Sequence, residues 1–148
     1  MIKSDFLSLE DVFDEVAGYL AANADIVRKA TGTDLALDLP SYRAAAESGQ
    51  MMILTLRHDG RLVGFSLFHV AADLRDKTRF EATNHGIVVS REYRKKYGER
   101  MFSEAHKFLK RAGVSETMYI NDNAAFGRFL KKFHAKPKFT IWSVQNGQ

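Results

Sequence analysis

The chain has 148 residues, 45% of them hydrophobic and 27% charged, with a formal net charge of +4, which gives room for one well-buried core and no more. It contains no cysteine, which excludes disulfides, thiolate catalysis and cysteine-ligated zinc. No apolar run approaches the roughly 20 residues of a membrane span, and the opening stretch MIKSDFLSLEDVF carries acids where a secretory signal has an unbroken apolar run. The expectation is a cytoplasmic protein with no membrane partner. The small positive charge suits an anionic ligand but is too slight to indicate nucleic acid.

No repeat, low-complexity segment or Pro/Gly/Ser-rich linker divides the chain, so residues 1–148 are expected to form one domain. Ser8 followed by Asp11 is a capping pattern for a helix, or pair of helices, over residues 9–30, with Leu9, Val12, Phe13, Val16 and Leu20 on one face. Thr31-Gly32 breaks it. Pro40-Ser41 opens a second short helix over residues 41–48, which Gly49 ends. The period then changes. Residues 51–57 and 61–70 flank His58-Asp59-Gly60, a hairpin signature in which Asp-Gly supplies the positive φ of a tight turn.

A charged loop covers residues 71–79, and residues 80–89 read as a third strand. Residues 98–112 are amphipathic at helical spacing through Met101, Phe102, Ala105, Phe108 and Leu109, with Gly113 as the stop. A strand is expected over residues 115–122, a helix over 124–133 and a last alternating strand over 138–144. This order predicts an α/β (α+β) fold with a mixed central sheet flanked by helices. The strands are antiparallel first, then a parallel pair is joined by a crossover helix.

The stretch that carries chemistry is residues 87–113, where a strand ends at Val89, a basic turn follows and a helix begins near Gly98. The free N–H groups of a helix start, with the positive end of its dipole, form a site for phosphate oxygens. Arg91, Arg94, Lys95, Lys96 and Arg100 add charge there, opposed by Glu92 and Glu99. The plain alternative for such a run is a solvated surface loop.

The run from Val89 to Arg100, VSREYRKKYGER, resembles the V-x-P-x-Y-R-G-x-G-x-G motif of the GNAT acetyltransferase superfamily. Residues 39–70 resemble the helix and hairpin ahead of that motif. Asn123 followed by RFLKKFHA resembles the N-x-x-A…Y-x-x-x-G-F segment of the last helix, so the likeness spans residues 39–144. The hairpin and basic turn also resemble small GNAT-type proteins encoded by bacteriophages, which implies a host cytoplasm as location. The resemblance implies the acyl-CoA N-acyltransferase fold, acetyl-CoA as cosubstrate and direct acetyl transfer to an amine of a small molecule or protein. It implies that the backbone of Val88 and Val89 pairs with the pantetheine arm. Arg94, Lys95, Lys96, Tyr97, Gly98, Glu99 and Arg100 would then surround the pyrophosphate, with Asn123 completing the cofactor-binding set. One motif glycine survives, Gly98, and Glu99 carries a negative charge toward the same place. A catalytically impaired GNAT-fold protein, serving as a binding or structural module, is the alternative this leaves open.

Acetyl transfer needs a base for the attacking ammonium, a donor for the oxyanion and a proton for the departing thiolate. The resemblance puts the base on the strand before the turn. There Glu81, Thr83 and His85 share one face at a spacing of two. His85 has the ordinary pKa suited to a base near neutrality, and Glu81 would need burial to raise its own. Both are candidates, against the plain reading of a polar strand edge. Leu130 stands where the family has a tyrosine acid, with Tyr119 and Tyr97 as substitutes. Phe126, Phe129, Phe133, Phe139 and Trp142 read as core. His58 and His106 lack a ligand partner at i+4, so no metal site is expected. Arg128, Lys131, Lys132, Lys136 and Lys138 read as a solvated face, or as a contact for the 3′-phosphate of coenzyme A. A nucleic-acid module would need aromatic residues interleaved with the basic ones, which are missing. The acceptor and the oligomeric state, a homodimer included, stay open.

Overall fold

In the computed structural model, residues 26–38, 74, 121–123, 139, 141 and 148 fall outside the described structure. The chain runs β1 (Ile2–Ser8), α1 (Leu9–Ala22), α2 (Leu39–Glu47), β2 (Met51–His58), β3 (Arg61–Ala72), β4 (Phe80–Val89), α3 (Arg91–Arg111), β5 (Val114–Met118) and α4 (Ala124–Lys132). The strands form one five-stranded sheet in the order β1-β2-β3-β4-β5. All neighbours are antiparallel except β4 and β5, which are parallel. That exception requires a crossover, and α3 supplies it. Among the described residues no helix is long and apolar enough to cross a membrane.

The sheet is buried on both faces, so β2 and β3 read as almost continuous apolar runs. On one face Leu9, Phe13 and Val16 of α1 and Ala46 of α2 pack on Met51, Ile53, Phe65, Leu67 and Val88. On the other, Met101, Ala105 and Leu109 of α3 pack on Leu54, Leu56, Val63, Phe68, Ala82 and Val89. The hairpin turn forms as its sequence predicts, with Asp59 and Gly60 both at positive φ. Across β3 and β4 the strands approach closely at Gly64. A methyl group there would lie 3.0 Å from the Val88 carbonyl oxygen and 3.2 Å from Val89 Cα.

The structure departs from the sequence reading in four places. Ile2–Ser8 is a strand paired along its whole length with β2, although Lys3, Ser4 and Asp5 hide its alternation. Ser8 holds the N-cap position of α1, but its hydroxyl makes no capping bond, and the helix kinks at Val12. Residues 138, 140 and 142–144 are not in a strand, and Trp142 is exposed rather than core. The fourth correction is the largest. No turn spans residues 94–100: α3 starts at Arg91, directly after Ser90. Arg91 to Tyr97 contains no glycine or proline, and its Arg, Glu and Lys are good helix formers, so the helix begins as soon as the strand ends.

Two glycine substitutions separate these features. Gly64→Ala is expected to destabilise the fold by ~1–3 kcal/mol through overpacking against β4. Gly98→Ala lies mid-helix with open space around it and is expected to stabilise by ~1 kcal/mol, raising Tm by about 2–4 °C. Thermal unfolding of both variants checks the pair. A loss of stability in Gly98→Ala would contradict a helical residue 98.

Candidate functional site

β4 has two unlike neighbours. Against β3 it is paired from Ala72↔Phe80 to Gly64↔Val89. Against β5 it is paired only from Phe80↔Val114 to Thr83↔Met118, where β5 ends. Beyond Thr83 the two parallel strands part, so one edge of residues 84–89 has no strand partner among the described residues. Such an edge offers N–H and C=O groups to an extended, amide-bearing ligand. The edge leads to the N-terminus of α3, because one residue, Ser90, joins strand to helix. The Ser90 N–H donates to the Val63 carbonyl oxygen at 2.8 Å, which fixes the helix start at the end of the sheet.

A bulge sits where the strands part. The β3–β4 register shifts so that Leu67 faces Gly86 and Phe68 faces Asn84, leaving His85 as the extra residue. Gly86 has a φ of 145°, a conformation that favours glycine. The Asn84 carboxamide secures the bulge. Its Nδ2 donates to Ser66 Oγ at 3.0 Å and to the Leu67 carbonyl at 3.2 Å, and its Oδ1 accepts from the Gly86 N–H at 3.1 Å. His85 is exposed at this point, and its ring lies 6.2 Å from that of His69. Partial burial on its inner side, and then the charge of His69, lower its pKa although the residue keeps contact with solvent. His85 is therefore neutral and able to accept a proton at neutral pH.

Glu81 is placed elsewhere. It lies opposite Ala71 in the closed part of the sheet, four residues and roughly 13 Å along the strand from His85. Its carboxylate lies 3.7 Å from Arg79 Nε. Register puts Glu81 and Thr83 on the face of His69, so the expected face is shared, but only His85 stands at the opening.

The expected phosphate-binding residues are spread along a helix instead of gathered in a turn. Val88 and Val89 bury their side chains in opposite cores, and their backbone belongs to the edge left open. Arg94 is in the first turn, its Nη2 donating to the Val89 carbonyl oxygen at 3.4 Å. Lys95 and Lys96 are exposed, with the Lys96 ammonium 5.5 Å from the Tyr97 ring. Arg100 stands nine residues from the helix start, about 14 Å along the axis, and bonds Glu104 at 2.8 Å. Glu99 is turned away onto Lys132 of α4 at 2.5 Å. Gly98 is an ordinary helical residue. Asn123 lies outside the described residues.

Cations at a helix N-terminus oppose the dipole. Even so, the first turn and its continuation carry Arg91, Arg94, Lys95 and Lys96 against one acid, Glu92. That arrangement costs stability unless an anion sits there.

Sequence reasoning missed three residues. Ser90 carries an N-cap signal that goes unused for capping. Its Oγ lies 2.6 Å from the Tyr19 hydroxyl, and that hydroxyl donates to the Val63 carbonyl at 3.1 Å. Since the Tyr19 proton is committed to Val63, Ser90 must donate to Tyr19. This ties α1 to the start of α3. His69 and Asn84 carry no local signal, because only the register of β3 on β4 gives them their places.

Leu130 is buried. Tyr119 follows β5 and shares a 2.7 Å hydrogen bond with His106 Nε2 inside a cluster formed by Phe102, Phe126, Phe129 and Phe133. Burial pushes the Tyr119 pKa far above the usual tyrosine value and lowers that of His106. Tyr97 is half-buried beside Tyr93, whose hydroxyl shares a 2.7 Å hydrogen bond with His58 Nδ1 of the hairpin turn.

A family model described as Acetyltransferase (GNAT) family matches residues 22–135. No curated protein gives a significant sequence match. Among solved structures, similarity extends to an aminoglycoside acetyltransferase from an uncultured soil metagenomic sample, at 14% identity, 99% of each chain and TM-score 0.76. A second aminoglycoside acetyltransferase from such a sample, in complex with sisomicin, aligns at 12% identity, 99% of this chain, 97% of that one and TM-score 0.76. The ribosomal-protein-alanine N-acetyltransferase of Brucella melitensis biovar Abortus 2308 aligns at 18% identity, 99% of this chain, 100% of that one and TM-score 0.70. At these identities the likeness is one of fold.

The half-buried His106 gives a pH prediction. Its folded pKa is depressed, so the stability it supports is complete above the unfolded value of 6.5 and is lost as pH falls below it. Tm is expected to drop between pH 7.5 and pH 5.5, chosen as about one unit either side of that value. In His106→Phe the drop should be shallower, from a lower starting Tm because the Tyr119 hydroxyl loses its partner. An unchanged pH slope in the variant excludes His106 as a titrating group of the fold.

Proposed function

The chain belongs to the GNAT acetyltransferase family, and on that premise we propose that it transfers the acetyl group of acetyl-CoA directly to an amine. The observation that carries this reading is the parting of β4 from β5 after Thr83, with its unpaired backbone edge leading to a cationic helix start. The edge suits the amides of a pantetheine arm beside Val88 and Val89. The α3 N-terminus with Arg91, Arg94, Lys95 and Lys96 suits the pyrophosphate. No glycine-rich turn is needed if the first amides of the helix face the phosphate directly. Tyr97, Gly98, Glu99 and Arg100 then serve the helix more than the ligand.

In the transfer, the ammonium of the acceptor gives a proton to the His85 imidazole, and the freed amine attacks the thioester carbonyl. The carbonyl π electrons move to oxygen, where an N–H of the open β4 edge can donate to them. Collapse breaks the C–S bond, and the second proton of the former ammonium nitrogen passes through water to the departing thiolate, so that the neutral amide and the thiol of coenzyme A are released. Glu81, engaged with Arg79, is the weaker candidate base. The relatives of this fold include enzymes whose acceptors carry amines, on aminoglycosides and on a ribosomal protein, so an amine acceptor is the class the reading adopts.

Acetyl-CoA is expected to raise Tm, by an amount that grows with ligand concentration and shrinks with added salt. Arg94→Ala should weaken binding about tenfold, the loss of one charge-assisted contact. His85→Gln should leave binding intact and lower the transfer rate by roughly 10²-fold or more. Calorimetry and thiol release read the two effects separately. No thermal shift at millimolar acetyl-CoA would sink the reading.

A further inference from the structure

His69 has no role in the transfer as described, yet the sheet sets it beside the bulge. Its register partners are Met51 on β2 and Thr83 on β4, so its side chain leaves the sheet on the Thr83 face. The His85 ring approaches it edge-on, 6.2 Å between centroids at an interplanar angle of 75°. On the other side, His69 Nε2–H donates to Gln50 Oε1 at 3.3 Å, which leaves Nδ1 as the acceptor nitrogen of the neutral ring. Gln50 is itself pinned to β3, because its carbonyl oxygen accepts the Val70 N–H at 2.7 Å.

Resting on the acetyl-transfer reading above, we propose that His69, braced by Gln50, is a positioning residue for His85, holding that imidazole at the parting of β4 and β5 as the proton acceptor. Two imidazolium ions side by side repel, so charge on one disfavours charge on the other. Burial acts in the same direction and is the larger cause of the lowered His85 pKa, with His69 second. Among the described residues, the polar groups that register or contact places beside these rings do not oppose it. Gln50, ahead of β2, is neutral. On β4, Thr83 is neutral and Glu81 is turned to Arg79. The proton taken from the acceptor ammonium then leaves His85 to solvent, since the residue is exposed. A histidine brace fits a bulge, because the extra residue has no strand partner to hold it.

The test is an NMR titration of the histidine rings in the full chain, from pH about 5 to 8.5, spanning the ordinary histidine range. It compares wild type with His69→Gln and Gln50→Leu. His69→Gln keeps a polar side chain beside Gln50 but cannot carry charge, and the His85 midpoint is expected to rise by about half a unit. Gln50→Leu keeps both imidazoles and unbraces one, so it is expected to give a smaller shift of the His85 midpoint and to broaden the His85 resonance. A His85 midpoint that stays at its wild-type value in His69→Gln overturns the proposal. If that variant does not fold, unchanged His85 resonances in Gln50→Leu overturn it. The titration needs no acceptor or acetyl-CoA. Failure of acetyl-CoA binding in wild type would instead remove the transfer reading and leave the measured coupling of the two rings intact.

Discussion

β4 cannot follow two neighbours at once. Its antiparallel partner β3 holds it along its whole length, with the close approach at Gly64 leaving no slack near Val88 and Val89. Its parallel partner β5 can be reached only by a crossover. That crossover, α3, is fixed at its start by Ser90 on Val63 and by Tyr93 on His58. Through its middle it is fixed by Met101, Ala105 and Leu109 in the core. The returning strand therefore meets only the first part of β4 and then leaves. The opening that results lies at the carboxyl ends of two parallel strands, where open α/β sheets bind ligands.

Electrostatics at that opening runs against what a helix alone would favour. The α3 N-terminus carries four cations and one acid within six residues, the reverse of the usual preference. Glu99, the acid that would most disturb an anion in a compact turn, is placed a further turn along and paired with Lys132. Among the described residues, the ion pairs of this helix, Arg100 with Glu104 and Glu99 with Lys132, lie away from the opening. Tyr19 extends the same device to the other face of the sheet. Its hydroxyl joins α1 to Ser90, so the helix start is braced from both layers.

The parts of the fold legible in the sequence are those with a local cause. The Asp59-Gly60 turn, the apolar runs of β2 and β3, the stripe of Met101, Ala105 and Leu109, and the mixed order of strands follow from turn chemistry and hydrophobic period. β1 escaped because three polar residues in a row blur the alternation of an edge strand. The helical state of Arg91 to Tyr97 escaped because a basic run between a strand and an amphipathic helix reads as a turn, although its composition favours helix. Of the candidate site, His85 was legible as an imidazole on the strand that leads into the basic helix start. Its place at the opening, apart from Glu81, was not, since four residues of separation matter only once β5 parts from β4 between them.

By itself, the sequence determined a single α/β domain without cysteine chemistry, and a strand–helix junction rich in cations. These depend on composition, periodicity and residues adjacent in the chain. Only the tertiary structure decided which edge of β4 stays open, that Asn84 stitches a bulge, that His69 meets His85, and that Glu99 faces Lys132. Each of those depends on register between strands or on the packing of α3 and α4. A register slip of one residue would move every side chain to the other face, so no local reading of the chain can supply them.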